Sequence, residues 1–358
     1  MRAAVYTAFG GPIRVKNIEK PRAKPGGVVL RVHATGVCRS DWHGWKGHDS
    51  DIVDHGLPFV PGHELSGVVS EVGDGVTSFC CGMRVAVPFI LSCGVCRECA
   101  RGRPTICEDQ AQPGFTMLGS FAEYVAIPRA ERNLCELPDN VSFAEAAALG
   151  CRTTTAFRAI VQRGQIAAGE TLAVFGCGGL GLSSVLCGAA AGATVIAVDV
   201  NPEARKKAMD LGAAYTIDAS TAAGGKDHVI ERVRQLTNGN MADVTADAAG
   251  FAATSELAVW CVRRGGRCVQ VGLPLGKHQP EVPMARVANR EIEIIGSHGL
   301  AAHDMPAVLA LVADGKLNVK ALIERTCSLE EGAKAIEAMD HGSPLGMTIC
   351  YPCSESKL

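Results

Sequence analysis

The segment Thr171-Leu-Ala-Val-Phe175 runs straight into Gly176-Cys-Gly178-Gly179-Leu180-Gly181 and then into an Ala/Leu-rich stretch, and this constrains the fold more than any other part of the chain. A short apolar run, a glycine turn and a helix-forming stretch make a strand–turn–helix, the opening of a βαβ unit. Further strand-like runs follow at Thr194 to Val198, Tyr215 to Ile217, Val244 to Ala246, Cys268 to Val271 and Glu293 to Ile295, with helical stretches between them. The fold class is therefore α/β with a doubly wound parallel sheet, here assigned to residues 152–296.

The first third has a different texture. Short β-branched runs such as Gly27 to Val32 and Ser66 to Val72 are punctuated by glycine, proline and aspartate, which predicts a mainly antiparallel, barrel-like β region. After the βαβ series, Met305 to Asp314 and Leu329 to Met339 read as helices and Met347 to Tyr351 as a closing strand. Residues 1–151 with 297–358 are expected to form one domain, packed against the other across a cleft that is the default place for an active site.

Composition narrows the function classes. A chain of 358 residues, 47% hydrophobic, is long enough for two cores. Its 35 basic and 37 acidic side chains are mixed along the chain, with no footprint for nucleic acid or an anionic membrane. Met1 to Tyr6 reads as a first strand and not as a secretion signal. The most apolar stretch, Leu182 to Val198, is interrupted by Ser183, Ser184, Gly188, Gly192 and Thr194, so no membrane span is expected. Small-molecule partners remain.

Sixteen cysteines in a large chain without a secretion signal point to reduced thiols or metal ligands. Four of them, Cys93, Cys96, Cys99 and Cys107, lie close together in a lobe rich in glycine and proline. Four thiolates suit tetrahedral zinc in a closed, structural site. Unrelated buried cysteines and an iron–sulfur cluster are the alternatives, the second without its usual Cys-Pro ending. Elsewhere Cys38, His63 and Cys151 make up a Cys₂His set with a fourth position free, and this matches a known ligand pattern of catalytic zinc.

Together, Gly36-Val-Cys38-Arg-Ser40-Asp41, Gly62-His63-Glu64, the four-cysteine lobe, Gly119-Ser-Phe-Ala-Glu-Tyr124 and the glycine turn resemble the medium-chain zinc-dependent alcohol dehydrogenase family, in order and over nearly the whole chain. The resemblance implies a GroES-like catalytic domain beside a Rossmann domain, two zinc ions per chain, and NAD. It makes Asp41 the carboxylate that orients His63. It places Glu64 just behind the metal, and it implies a small-molecule alcohol or aldehyde as substrate.

The glycines Gly176, Gly178, Gly179 and Gly181, with Leu180, would bring backbone N–H groups up to a pyrophosphate at a helix N-terminus. At the end of the next strand stands Asp199, whose carboxylate would bond the ribose hydroxyls and repel a 2′-phosphate, favouring NAD over NADP. Arg205 near it could serve either cofactor. Many relatives carry Gly-Arg where this chain has Gly346-Met347, so Arg39, matching a phosphate-binding arginine or else a solvated one, would carry more of that task. Thr155 matches a position that touches the nicotinamide, and the strand end at Val271-Gly272-Leu273 one that meets the carboxamide.

Zinc with an open position would acidify an alcohol held there, so that hydride leaves readily for the cofactor. Ser40 would accept the alcohol proton and His43 carry it outward, unless these are a turn hydroxyl and a surface histidine. Trp45 and Phe89 either narrow the substrate pocket or belong to the core. The terminal Ser356-Lys357-Leu358 reads as a peroxisomal address, with cytoplasm the alternative. The short connection between Cys107 and Gly119 resembles tetrameric relatives, so a homotetramer is expected, alternatively a homodimer. The leading function is reversible oxidation of a small primary or secondary alcohol. Polyol or aryl-alcohol dehydrogenase and a non-catalytic dinucleotide-binding protein are the alternatives.

Overall fold

The computed structural model describes residues 1–274 and 278–353. It divides into two compact units, Met1–Thr154 with Gly299–Leu358, and Thr155–His298. The division falls inside an unbroken helical run from Phe143 to Arg163, with no loop to mark it.

The first unit opens with β1 (Arg2–Val5) and β2 (Arg14–Asn17), an antiparallel pair. It continues with β3 (Val28–Val37), β4 (Leu65–Val72), β5 (Arg84–Val87), β6 (Tyr124–Ile127) and β7 (Cys135–Glu136). The second unit then contributes β8 (Thr171–Phe175), β9 (Thr194–Asp199), β10 (Tyr215–Asp218), β11 (Ala242–Asp247), β12 (Val262–Gln270) and β13 (Glu293–Gly296). The chain returns to the first unit with β14 (Ile323–Ser328) and β15 (Met347–Tyr351).

In the first unit the large sheet has the order β14-β15-β3-β4-β5-β7 and is antiparallel except for the parallel β14–β15 pair. The long β3 organises it. Along one edge β3 pairs with β4 through two register shifts, and it pairs with β6 over Val28–Arg31 and with β15 over Thr35–Val37. Such irregularities bend a strand, letting one segment serve several partners. One core gathers Val28, Leu30, Val32, Leu65, Val85 and Ile127; another gathers Tyr6, Phe59, Phe121, Leu329 and Ile336. Trp45 belongs to this second core, and its indole N–H donates to the Gly11 carbonyl at 2.6 Å. Of the two readings of Trp45 this placement favours the core: a nearby carbonyl satisfies its one polar atom, so the ring can be buried.

The second unit is a six-stranded, all-parallel sheet in the order β10-β9-β8-β11-β12-β13. The strand order reverses between β8 and β11, and the carboxyl end of such a reversal is where α/β sheets bind ligands. Its core includes Phe175, Ile196, Val198, Val233, Leu257 and Val262. Each side chain of this kind contributes about 1.5–3 kcal/mol on burial.

One strand differs from expectation. β12 starts at Val262, through Arg263-Arg264-Gly265-Gly266, and stops at Gln270, so Val271 and Leu273 lie in the loop beyond it. Arg263 bonds Asp243 of the neighbouring β11 at 2.6 Å and Arg267 pairs with Glu170, just before β8, so ion pairs reinforce a segment with two arginines and two glycines that carries no strand pattern of its own. No helix of the described residues is long and apolar enough to cross a membrane.

Candidate active site

Three separate parts of the first unit converge on one buried cluster. Cys38 follows β3 and caps the helix Arg39–Trp45, His63 lies in the segment before β4, and Cys151 lies in a π-helical turn, Leu149–Thr153. Their donor atoms and a Glu64 carboxylate oxygen all lie within 4.8 Å of one another. Asp41 holds the pieces together. Its Oδ1 accepts from His63 Nδ1 at 2.9 Å and from the Gly62 N–H at 3.1 Å, and its Oδ2 accepts from the Cys38 N–H at 2.9 Å.

With Nδ1 donating to Asp41, the lone pair of His63 is on Nε2, which is buried and has no hydrogen-bond partner among the described residues. An orphaned buried nitrogen beside two thiols is what a metal ligand looks like without its metal, so the cluster fits zinc. The electrostatics agree. A hydrogen bond from Cys151 holds the Cys38 thiol well below its ordinary range despite burial, while that bond and burial push Cys151 up. Burial opposes a charged His63, but Asp41 and Cys38 prevail and raise it, so a metal on Nε2 would bind in place of a proton.

Glu64 is fully buried, and burial raises its pKa against the pull of Arg152. Arg152 is absent from the sequence reading; the available signal was a cation directly after a ligand cysteine in a run of small residues. Phe89 and Phe115 stand edge-on to the His63 ring at 6.0 and 5.1 Å between centroids. Phe89 thus walls the metal cluster, and Phe115 is a second ring that spacing alone did not reveal.

Ser40 lies next to the cluster, its hydroxyl accepting from the Cys38 thiol at 3.7 Å. His43 does not stand alone: its Nδ1 is 3.2 Å from Nδ1 of His48, and Trp42 packs edge-on against both rings. Burial, then Arg39 and His48, lower the His43 pKa. Arg39 stacks on Trp42, 3.6 Å from the ring centre, and donates to the Met339 carbonyl, so it is held and not freely solvated. Met347 is buried in β15.

The cysteine quartet forms a second cluster, its four Sγ atoms within 4.8 Å of one another. The backbone is wrapped to serve sulfur: the N–H of Cys96 donates to Cys93, that of Cys99 to Cys96, and that of Cys93 to Cys107, at 3.2, 3.5 and 3.2 Å. Backbone donors bring Cys96 down to about 6, while burial pushes Cys107 up to about 12. All sixteen cysteines are free thiols. Four converging sulfurs, with no fifth donor grouped with them among the described residues, fit a closed zinc site.

In the second unit, Gly176 turns with φ +88° at the carboxyl end of β8, and the helix Gly179–Ala190 begins after Gly178 with no side chain capping its first N–H groups. A β-carbon on Gly181 would lie 1.7 Å from the Gly176 carbonyl, whereas one on Gly178 would project into open space. The turn is therefore packed on one side and vacant on the side where a pyrophosphate would meet N–H groups, which fits a dinucleotide. Leu180 follows in the first turn of the helix.

Asp199 ends β9 and reaches back, accepting from the Cys177 N–H at 2.6 Å and from the Asn201 N–H at 2.8 Å. Arg205 donates to the Asp199 carbonyl at 2.8 Å and to Asp218 at 3.1 Å, so it braces the ends of β9 and β10. Thr155 is buried, with a hydroxyl that has no partner among the described residues. Val271 donates its N–H to the Asp247 carbonyl at 3.2 Å, and Leu273 is 63% exposed. Ser356-Lys357-Leu358 lies outside the described residues.

Two family descriptions match the chain: "Alcohol dehydrogenase GroES-like domain" over residues 24–139 and "Zinc-binding dehydrogenase" over residues 179–314. An alcohol dehydrogenase of Geobacillus stearothermophilus is 37% identical over 325 residues, covering 90% of this chain and 92% of that protein. Sorbitol dehydrogenase 1 of Saccharomyces cerevisiae is 33% identical over 356 residues, 97% of each chain. Among solved structures, an NAD-dependent alcohol dehydrogenase superposes with a TM-score of 0.87 at 30% identity, covering 99% of this chain and 100% of that one.

Proposed function

This chain belongs to the medium-chain zinc-dependent alcohol dehydrogenase family, and from that premise we propose that it moves hydride reversibly between a small primary or secondary alcohol and NAD. It is an NAD-dependent oxidoreductase of the alcohol dehydrogenase type. The observation that carries the finer reading is the convergence of Cys38, His63 and Cys151 with His63 Nε2 left without a partner.

Zinc on those three residues supplies a Lewis acid, and NAD supplies the hydride acceptor. The chain's own side chains do the rest. Asp41 fixes the His63 ring by accepting from its Nδ1, which aims the Nε2 lone pair at the position zinc would take. Ser40 Oγ, next to Cys38, takes the alcohol proton, and His43, kept neutral by its lowered pKa, carries it outward. The Phe89 and Phe115 rings keep water from the metal cluster and favour slender substrates. Asp199 bonds the adenosine ribose hydroxyls, and its charge disfavours a 2′-phosphate.

Metal analysis tests the reading. About two zinc per chain is expected, and about one, with the quartet alone filled, would overturn it. Primary, secondary, aromatic and polyol substrates, each with NAD and NADP, then fix the substrate class. The similarity to a sorbitol dehydrogenase makes a polyol the second reading, and faster turnover of polyols than of simple alcohols would establish it.

Assembly as a homotetramer, with a homodimer as the alternative, rests on the short connection between Cys107 and Gly119, and sedimentation decides between them. A peroxisomal address rests on Ser356-Lys357-Leu358, against cytoplasm, and microscopy of the tagged chain with and without these residues tests it.

A further inference from the structure

The metal cluster contains four candidate donors and not three, because a Glu64 oxygen lies within 4.8 Å of the Cys38, His63 and Cys151 ligand atoms. The distinction is functional. A zinc ion with four protein ligands sits in a closed, structural site, whereas three ligands leave a position for substrate. Glu64 is fully buried, so water does not occupy its oxygens, and a carboxylate in that state is drawn to the nearest cation. Something must keep it from the metal.

Arg152 is placed to do so. Its Nε donates to Glu64 Oε1 at 2.9 Å and its Nη2 to Oε2 at 2.6 Å, while its backbone N–H donates to Oε1 at 3.3 Å. Both carboxylate oxygens are engaged by a planar fork whose geometry fixes the carboxylate's orientation. The π-helical turn Leu149–Thr153 makes this possible. It widens the helix at Cys151 and Arg152, so that consecutive residues reach the metal cluster and Glu64. Gly150 lets the turn lie directly on Glu64: a β-carbon there would be 2.5 Å from the Glu64 Cα.

We infer that Arg152 is a positioning residue that holds the Glu64 carboxylate away from the metal and so reserves the fourth position for substrate. The inference rests on Cys38, His63 and Cys151 being zinc ligands. Without Arg152 the buried carboxylate exchanges its ion pair for the metal, and the site closes. A purely structural ion pair would instead stabilise the turn and leave the coordination unchanged.

The test uses the full-length protein with cobalt(II) in place of the catalytic zinc, titrated with imidazole as a probe that occupies an open metal position, and reads the visible spectrum. Arg152→Gln is expected to weaken imidazole binding about 10- to 100-fold. Adding Glu64→Gln to that variant is expected to restore it, because a carboxamide competes poorly for the metal. Wild-type imidazole affinity in Arg152→Gln, or a double variant no better than the single one, overturns the inference.

If Arg152→Gln does not fold, Arg152→Lys decides. It keeps the charge without the fork, and weakened binding recovered by Glu64→Gln supports the inference, while unchanged binding overturns it. A wild-type protein that takes up cobalt at the quartet alone would instead overturn the assignment of Cys38, His63 and Cys151, a result distinct from any of these.

Discussion

Asp41 and His63 form a single buried unit, the carboxylate Oδ1 accepting from Nδ1 at 2.9 Å with the two side chains 0% and 1% exposed. Asp41 accepts two further bonds, from the Gly62 and Cys38 N–H groups, so it orients the His63 ring and the backbone of Cys38. Asp41→Asn offers one acceptor oxygen to three donors and turns an NH₂ toward an N–H. The expected result is an about 10- to 100-fold loss in catalytic-site metal affinity and in kcat/KM, with the quartet zinc retained. Metal content after dialysis and steady-state kinetics check both halves.

The two metal sites should separate on mutation. Cys38→Ser is expected to lose the catalytic zinc and nearly all turnover while the fold is retained. Cys96→Ser removes a ligand whose sulfur also accepts the Cys99 N–H, so it should loosen the lobe from Cys93 to Cys107 and expose it to protease. Zinc stoichiometry, turnover and mapped proteolysis distinguish them. Full activity in Cys38→Ser would contradict the assignment.

Gly181→Ala introduces a methyl 1.7 Å from the Gly176 carbonyl, and the neighbour is backbone, so the glycine turn itself must move. A stability loss of about 1–3 kcal/mol is expected from the overpacking. NADH affinity should fall with it, because the N–H groups of the turn no longer converge. Denaturant unfolding and NADH fluorescence titration measure the two, and wild-type values in both would show that the turn has slack.

Three histidines make stability depend on pH. Burial, aided by Arg31 and Arg84 at His33, by Arg39 and His48 at His43, and by Arg158 at His298, lowers each below the ordinary value of 6.5. A histidine with a depressed pKa binds fewer protons in the folded than in the unfolded chain just below pH 6.5. Stability is then lost as pH falls through that window, and these groups contribute no pH dependence well above it. Proton NMR of the zinc-loaded protein should find all three rings titrating below 6.5; a value at or above it for any of them removes that residue's contribution.

Much of this protein is legible before it folds, wherever the signal is local. The glycine turn after Phe175 reads as the start of a βαβ unit because the backbone there must bend and then present N–H groups, and few residues allow that. The quartet reads as a zinc lobe because its four thiols lie within fifteen consecutive positions, Cys93 to Cys107, and the backbone that wraps sulfur is local too. In contrast, the first half of β12 carries two arginines and two glycines and has no strand pattern, so the sequence places the strand only from Cys268. That half becomes a strand through Asp243 and Glu170, which are remote in sequence.

By itself, then, the sequence determined the parallel sheet with its glycine turn, the antiparallel region before it and the four-cysteine lobe, because spacing and backbone preference act over a few residues. Only the tertiary structure decided that Trp45 fills a core while Phe89 faces His63, that Phe115 joins it, that His43 pairs with His48, and that Arg152 clamps Glu64. These are matters of which buried polar atom finds which partner. Burial forces every such atom to be matched, but the match is set by packing among segments far apart in the chain, and no local pattern records it.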